Sequence, residues 1–307
     1  MAGVSLEAQG ATPDDLLTDA AGRAAGRGRR IVDGVGWGLG YLALVAIAGP
    51  VVWVLAGVFA RALPHWQWKV LWTTGAAGTG GLLNEIVGSL LLLLGVAILA
   101  GAVGLGTGIY LAEYSKGRLG GFLRTASEVL AGIPSIVLGY VGYIAFVVTF
   151  HWSFSLLAGL ITLTLMGIPY TAKSTELALR QVPTGYREGA DALGMPAMHA
   201  LRHITLRTAL PGIATGLLVA LALSLGETAP LLYTAGFTSS LPSLQLTHAP
   251  VAYLTYAVWT FYNQPSPQAV DLSYDAAVIL VVLLLIILVV SRLVVGRSQR
   301  YSETGGR

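Results

Sequence analysis

Residues 276–290 read AAVILVVLLLIILVV, fifteen side chains in succession with neither a charge nor a hydrogen-bonding group. A helix on the surface of a soluble domain turns only one apolar stripe to its core, and a half-buried strand alternates. A run like this one is apolar on every side, and so must be its surroundings. A second stretch, SLLLLLGVAILAGAVGLGTG over 89–108, has the same character. A helix needs about 20 such residues to cross the hydrocarbon core of a bilayer. Composition supports lipid as the solvent. Only 11% of the 307 residues are charged and 55% are hydrophobic, with a mean hydropathy of +0.71, whereas soluble domains carry about 25% charged residues. The chain has no cysteine, which excludes disulfides, thiolate catalysis and cysteine zinc sites together.

Six segments meet the length requirement: about residues 35–60, with Pro50 as a kink site, then 83–110, 126–150, 154–177, 210–234 and 274–295. The fourth is the weakest, because Pro169, which loosens a helix, stands with Lys173 and Glu176 near its end. Between the third and fourth, the HWS at 151–153 predicts a tight hairpin with Trp152 at an interface. Residues 1–34 are polar, with Asp14, Asp15 and Asp19 followed by Arg23, Arg27, Arg29 and Arg30. No apolar run opens them, so they read as a flexible tail rather than a signal peptide. The expected organisation is a tail over 1–34, a membrane domain over 35–297 and a second tail over 298–307.

Orientation follows from lysine and arginine. A cytoplasmic amino terminus places the tail arginines, Lys116, Arg118, Arg124, the basic residues of 173–207 and those of 292–307 inside. Only Arg61 and Lys69 of the 18 basic residues then fall outside. Both termini are expected in the cytoplasm. The outer segments are 61–81 and 235–273, the latter containing LQLTHAPVAYLTYAVWTFY, read as a short interfacial helix.

Several motifs argue against enzymes. The GLGTG at 104–108 has no strand before it and lies in an apolar run, so with Gly101, Gly104 and Gly108 it reads as close helix packing. No GxxxxGK[ST] occurs, so ATP is not bound by that route. His199 and His203 have the spacing of a zinc protease helix, but residue 200 is Ala200 where a glutamate general base is needed, and no third ligand is near. The SYD at 273–275 has no GxGD companion, and a GxSG is missing as well. A metal site and an enzyme active site are therefore not expected, and neither is nucleic-acid binding.

The most unusual stretch is REGADALGMPAMHALRHITL over 187–206, charged and interrupted by Gly194 and Pro196 in the middle of an apolar chain. It predicts two short amphipathic helices, about 184–193 and 196–204, with Gly194 ending the first and Pro196 in the first turn of the second. It also resembles the cytoplasmic loop of ABC importer permeases, E-A-A, three residues, G, nine residues, I-x-L-P. Glu188, Gly189, Ala190, Gly194, Ile204 and Leu206 fall at those positions. Gly189 replaces an alanine, and Arg207 stands where a proline is expected. Three further stretches, AGIPSIVLGY (131–140), TELALRQVP (175–183) and GETAPLLYTAG (226–236), resemble the phosphate-specific importer permeases of the PstA family, in which a basic residue commonly replaces the loop proline. The residues Ala229, Pro230, Leu231 and Leu232 after Gly-Glu-Thr favour PstA over its PstC sister. The resemblance runs from about residue 82 to the end of the sixth span, but not closely through 242–273.

The resemblance implies an all-α membrane protein with six transmembrane helices, the type I ABC importer permease fold, and a coupling helix between helices 4 and 5, in a loop over about 180–207. It also implies a bacterial inner-membrane subunit that moves inorganic phosphate, with a PstC-like permease, two PstB-like ATPases that use ATP and Mg, and a PstS-like binding protein. This chain itself is expected to hold no cofactor. Arg187, Glu188, Ala190, Gly194, Arg202, Ile204 and Leu206 are the expected coupling residues. Residue chemistry alone leaves sulfate and molybdate open as cargo. It also leaves open a secondary transporter using Glu227 as its ion site.

Glu227 lies inside the fifth span, where a carboxylate costs about 2.5–3.5 kcal/mol on insertion scales. A bare carboxylate repels phosphate, so its expected role is to pair with a basic residue of the partner permease, to hold a proton or to gate; a helix-bonded protonated glutamate is the bland alternative. Ser135, Thr228 and Tyr233, beside breaks at Pro134 and Pro230, are candidate pathway groups, and for Ser135 helix packing is an equal alternative. Lys173 and Glu176 are three apart and able to pair on one helix face, although a lysine snorkelling to the inner interface is preferred. Asn84 and Glu85 read as the start of the second span near the outer surface.

Overall fold

The computed structural model describes the backbone of residues 13–303 except 76, 77, 116 and 244, and side chains within 33–293. Expectations for 1–12, 304–307 and Lys116 lie outside the described residues. Regular structure is helical. In chain order it comprises α1 (Pro13–Ala62), α2 (Leu83–Ile109), α3 (Arg118–Gly132), α4 (Ser135–Gly142), α5 (Leu156–Arg180), α6 (Thr184–Ala192), α7 (Ala197–Ala200), α8 (Leu206–Gly226), α9 (Ala229–Thr234), α10 (Leu254–Tyr256) and α11 (Pro267–Glu303). Wider, π-wound turns extend α2 over Tyr110–Tyr114, α4 over Tyr143–Thr149 and α10 over Ala257–Phe261, and another, Leu201–Thr205, joins α7 to α8.

Among the described residues, five stretches are long and apolar enough to cross a bilayer: Asp33–His65, Leu83–Tyr114, Leu156–Arg180, Ala197–Gly226 and Pro267–Leu293. A sixth is obtained if α3 and the extended α4 count as one, though they meet at 103°. The single third span expected over 126–150 is thus bent sharply. Ile133 is extended (φ −72°, ψ 129°) before Pro134, the conformation that a following proline imposes. The fifth span is broken too, at Glu227. Pro50 and Pro169, expected to kink or loosen their helices, lie within unbroken ones, as a membrane span allows where neighbouring groups re-satisfy the freed carbonyls.

The chain divides into two compact units, 1–58 and 59–307. In the first, α1 is already helical at Pro13, where a flexible tail was expected through 34. Its apolar side chains, such as Trp37, Ile47 and Trp53, are exposed.

In the second unit α2, α5 and α8 pack around Leu92, Val96, Ala100, Leu163 and Leu221. The expected glycine packing is present where α2 meets α5: a Cβ at Gly104 would lie 2.6 Å from Thr171 Cβ, and one at Gly108 2.5 Å from Thr175 Cβ. The tight hairpin before α5 is present as well. His151 and Ser153 take positive φ, Trp152 stacks on Phe146, and Ser155 caps α5 by accepting from the Ala158 amide at 3.4 Å. The segment read as an interfacial helix does hold a short helix, α10 with its π-wound extension, on which Trp259 is exposed, but the stretch leading into it is inside the protein: Val251, Ala252, Tyr253 and Leu254 are all at most 1% exposed. The Leu254 amide donates to Ser89 Oγ of α2 at 2.8 Å, and Gly88 leaves room for the Ala252 carbonyl. Asn84 and Glu85 do open α2, but both are fully buried, and Asn84 Nδ2 donates to the Thr238 carbonyl at 3.3 Å.

Candidate functional site

The interrupted segment folds as two helical pieces around one left-handed residue. Pro183 precedes α6, and the helix stops at Gly194, which has φ +66°. The Gly194 amide donates to the Asp191 carbonyl at 2.9 Å and the Met195 amide to the Ala190 carbonyl at 3.0 Å. This pair of bonds is the Schellman arrangement, and glycine suits its left-handed position because a Cβ is disfavoured there. Pro196 caps α7 through its carbonyl, which accepts from the His199 and Ala200 amides at 2.8 and 3.0 Å, so it stands just before the helix rather than in its first turn. The second piece does not end near 204, since the π-wound turn carries it into α8 without a break. His199 and His203 stack at 4.0 Å on its exposed side.

The expected coupling residues divide by environment. Glu188, Gly194 and Arg202 are exposed, and beside them Leu193 is 81% exposed, an unusual setting for leucine at the tip of a loop. Ala190 is buried, Ile204 and Leu206 are half-buried, and Leu206 packs on the cluster of Leu179, Val182 and Ile213. Arg187 turns inward. Its guanidinium donates to both carboxylate oxygens of Glu113 at 2.8 and 2.6 Å and to the Leu179 carbonyl at 3.3 Å.

A second ionic cluster lies nearby. Glu176, 7% exposed at its side chain, accepts at Oε1 from Arg124 at 3.0 Å and pairs with Arg180 at 2.9 Å. Arg124 also donates to the Leu111 carbonyl and to Ser115 Oγ, joining α3 to α2 and α5. The pairing of Lys173 with Glu176 therefore does not form. Lys173 is exposed and lines a cavity of about 820 Å³ with Tyr170, Ser127, Glu128 and Thr215. Sequence spacing carries no signal for the Arg124–Glu176 and Arg187–Glu113 bonds, whose partners lie 52 and 74 residues apart, whereas Glu176 and Arg180 have the i,i+4 spacing of a helix pair.

The fifth span breaks where the intramembrane carboxylate sits. Glu227 is extended (φ −75°, ψ 128°) between α8 and α9, so it occupies a helix break and not a helix interior. Its carbonyl accepts from Thr255 Oγ1 at 3.0 Å. Its side chain is half-buried and has no hydrogen bond or ion pair among the described residues. Thr228 and Tyr233 are partly exposed beside it, and Tyr233 meets Tyr140 of α4 edge-on at 6.2 Å. Pro230 is buried against Gly139 of α4, which makes it a packing residue. Ser135 opens α4 and is half-buried.

A family model described as binding-protein-dependent transport system inner membrane component matches residues 104–303, which include the interrupted loop, both ionic clusters and the break at Glu227. The chain belongs to this family. It is a non-catalytic, multi-pass inner-membrane permease subunit of the type I ABC-importer fold. It is 55% identical over 272 residues to phosphate transport system permease protein PstA 2 of Mycobacterium bovis, covering 89% of this chain and 90% of that one. It is 35% identical over 221 residues to phosphate transport system permease protein PstA of Yersinia pestis, covering 72% and 74%. Its fold is similar to a chain of the MetNI methionine ABC transporter in an inward-facing conformation, with a TM-score of 0.56 at 21% identity over 71% of this permease and 97% of that chain.

Proposed function

We propose that this chain is one permease subunit of an ATP-driven importer of inorganic phosphate. It forms half of the translocation pathway with a PstC-like permease, docks on two PstB-like ATPases that use ATP and Mg, and receives phosphate from a PstS-like binding protein outside. Both termini lie in the cytoplasm with six crossings, the bent α3–α4 pair supplying the third. The observation that carries this reading is the loop of α6, Gly194 and α7. A compact helix-turn-helix presents Leu193 and Tyr186 to the cytoplasm on a base fixed by buried Ala190 and by Arg187. Exposed leucine and tyrosine on a compact knob suit a groove in a partner. ATP-driven closure of that partner moves the knob, and the spans alternate between inward- and outward-facing states.

Glu227 supplies a gate at the break in the fifth span. Its carboxylate has no basic partner among the described residues, which supports pairing with the second permease across the pathway. Thr228, Tyr233 and Ser135 supply hydroxyls that donate to an oxyanion without a fixed positive charge to trap it. The test is reconstitution with the partner permease, ATPase and binding protein. Wild-type complex is expected to take up phosphate only with ATP and binding protein. Glu227→Gln, which keeps size and hydrogen bonding but removes the charge, is expected to assemble yet transport poorly, because the opposing charge is left uncompensated at a cost of about 3–5 kcal/mol if fully buried and less in a wet pathway. Wild-type uptake by Glu227→Gln at every pH tested would show that the charge is dispensable.

A further inference from the structure

The docking loop is tied to the membrane helices by two connections of different stiffness. On the side of α8, the link between α6 and α7 passes through Gly194. A Cβ there would meet no atom within 4 Å, so the outer side of this turn is open, and backbone bonds close it. On the other side, one guanidinium grips two helices. Arg187 meets Glu113 through two parallel bonds, at 2.8 and 2.6 Å, and reaches the Leu179 carbonyl near the end of α5. A two-pronged arginine–carboxylate pair restrains orientation as well as distance, which a single contact does not.

Glu113 stands in the π-wound turn that ends α2. That turn is held from its other side by Arg124, which donates to Leu111 and Ser115, two residues before and after Glu113. Arg124 in turn bonds Glu176, and Glu176 bonds Arg180, both on α5. The inner ends of α2 and α5 are therefore clamped to each other by one arginine and to α6 by another. The Glu113 side chain is 17% exposed and Arg187 37%, so this pair is only partly screened by water. A polar cavity of about 450 Å³ beside the pair is lined by Arg124, Arg180 and Thr184 together with Glu113 and Arg187 themselves.

Taking 184–207 as the docking loop, we infer that Arg187 is a positioning residue. Through its pair with Glu113 it is the strut by which displacement of α6 reaches α2 and α5, and the Gly194 side follows as a compliant joint. The strut works by geometry, so a lysine at 187, which keeps the charge but loses the fork, weakens coupling without undoing assembly.

The test uses the complete complex in vesicles, reading phosphate moved per ATP hydrolysed. Arg187→Lys is expected to co-purify with the ATPase at wild-type yield and to move about three- to tenfold less phosphate per ATP. Arg187→Glu and Glu113→Arg each place like charges together and are expected to lose about tenfold or more, while the exchanged pair, Arg187→Glu with Glu113→Arg, recovers to within about threefold of wild type. A wild-type ratio in Arg187→Lys overturns the strut, and so does an exchanged pair no better than either single change. If the charge-reversed singles fail to assemble, the lysine variant alone decides. Leu193→Asp tests the docking reading separately and is expected to lose the ATPase on purification. If Leu193→Asp keeps a bound, coupled ATPase, the docking reading fails and the strut with it. If Leu193→Asp loses the ATPase while Arg187→Lys stays fully coupled, the strut alone fails.

Discussion

Four glycines of α2, two on its seam with α5 and two off that seam, offer a test in which helix propensity cancels. An alanine Cβ at Gly108 would lie 2.5 Å from Thr175 Cβ and 2.6 Å from the Ala172 carbonyl oxygen, and one at Gly104 2.6 Å from Thr171 Cβ. Carbon atoms pack best at about 3.5–4.0 Å, so α2 and α5 must move apart by about 1 Å at either site. Overpacking of this kind costs about 1–3 kcal/mol. Against it, alanine gains about 1 kcal/mol over glycine in a helix interior. Gly106, on the same helix, has nothing within 4 Å of its Cβ position, and the nearest atoms at Gly101 are Leu217 methyls at 3.6 and 3.7 Å, ordinary contact. Gly106→Ala and Gly108→Ala share the propensity gain, so their difference isolates packing and is expected to be about 1–3 kcal/mol in favour of Gly106→Ala. Gly101→Ala should resemble Gly106→Ala. Gly104→Ala with Gly108→Ala should cost less than the sum, because a single separation of the helices relieves both sites. The assay is the temperature at which purified protein in detergent loses its native elution peak. A Gly108→Ala variant surviving to the same temperature as Gly106→Ala would refute the close approach of α2 and α5.

Three further outcomes are expected. Gly194→Leu should impair coupling through backbone strain of about 1–2 kcal/mol at positive φ rather than through a clash, so Gly194→Asn, which tolerates that conformation, should retain most transport-linked ATP hydrolysis. Glu176→Gln should lower the melting temperature of the purified chain while Glu128→Gln, at an exposed position, leaves it unchanged, because the first change leaves Arg124 without its carboxylate; Arg124 is about a third exposed and keeps two neutral acceptors, so the loss is about 1–3 kcal/mol, below that of a fully buried pair. In this cysteine-free chain, a cysteine introduced at Arg202 should react with an impermeant reagent only from the inner side, and one at Lys69 only from the outer side; labelling of position 202 from outside contradicts the proposed topology.

Much of the site was legible before any coordinates. The interrupted loop was found from charge in an apolar chain, and its turn from a glycine followed by a proline. Both are local signals, and both survive as the Schellman turn at Gly194 and the cap at Pro196. The breaks at Ile133 and Glu227 lie beside prolines, yet the proline count alone misleads, since Pro50 and Pro169 sit in unbroken helices. Whether a proline breaks a span depends on which neighbours re-satisfy its freed carbonyl, and no sequence window contains them. Arg187 was expected only as one of the coupling residues of the loop, and its pairing was not foreseen because its carboxylate lies in the turn that ends α2, 74 residues away along the chain.

By itself the sequence determined the solvent, the helical class and most of the stretches long and apolar enough to cross a bilayer. Hydrophobic length and the absence of charge are properties of consecutive residues, and a bilayer responds to them directly. Tertiary structure alone decided the partners of the ionised groups and the burial of 251–254. An ion pair or a buried loop is a relation between residues distant in the chain, and its energy appears only when packing has removed the water between them.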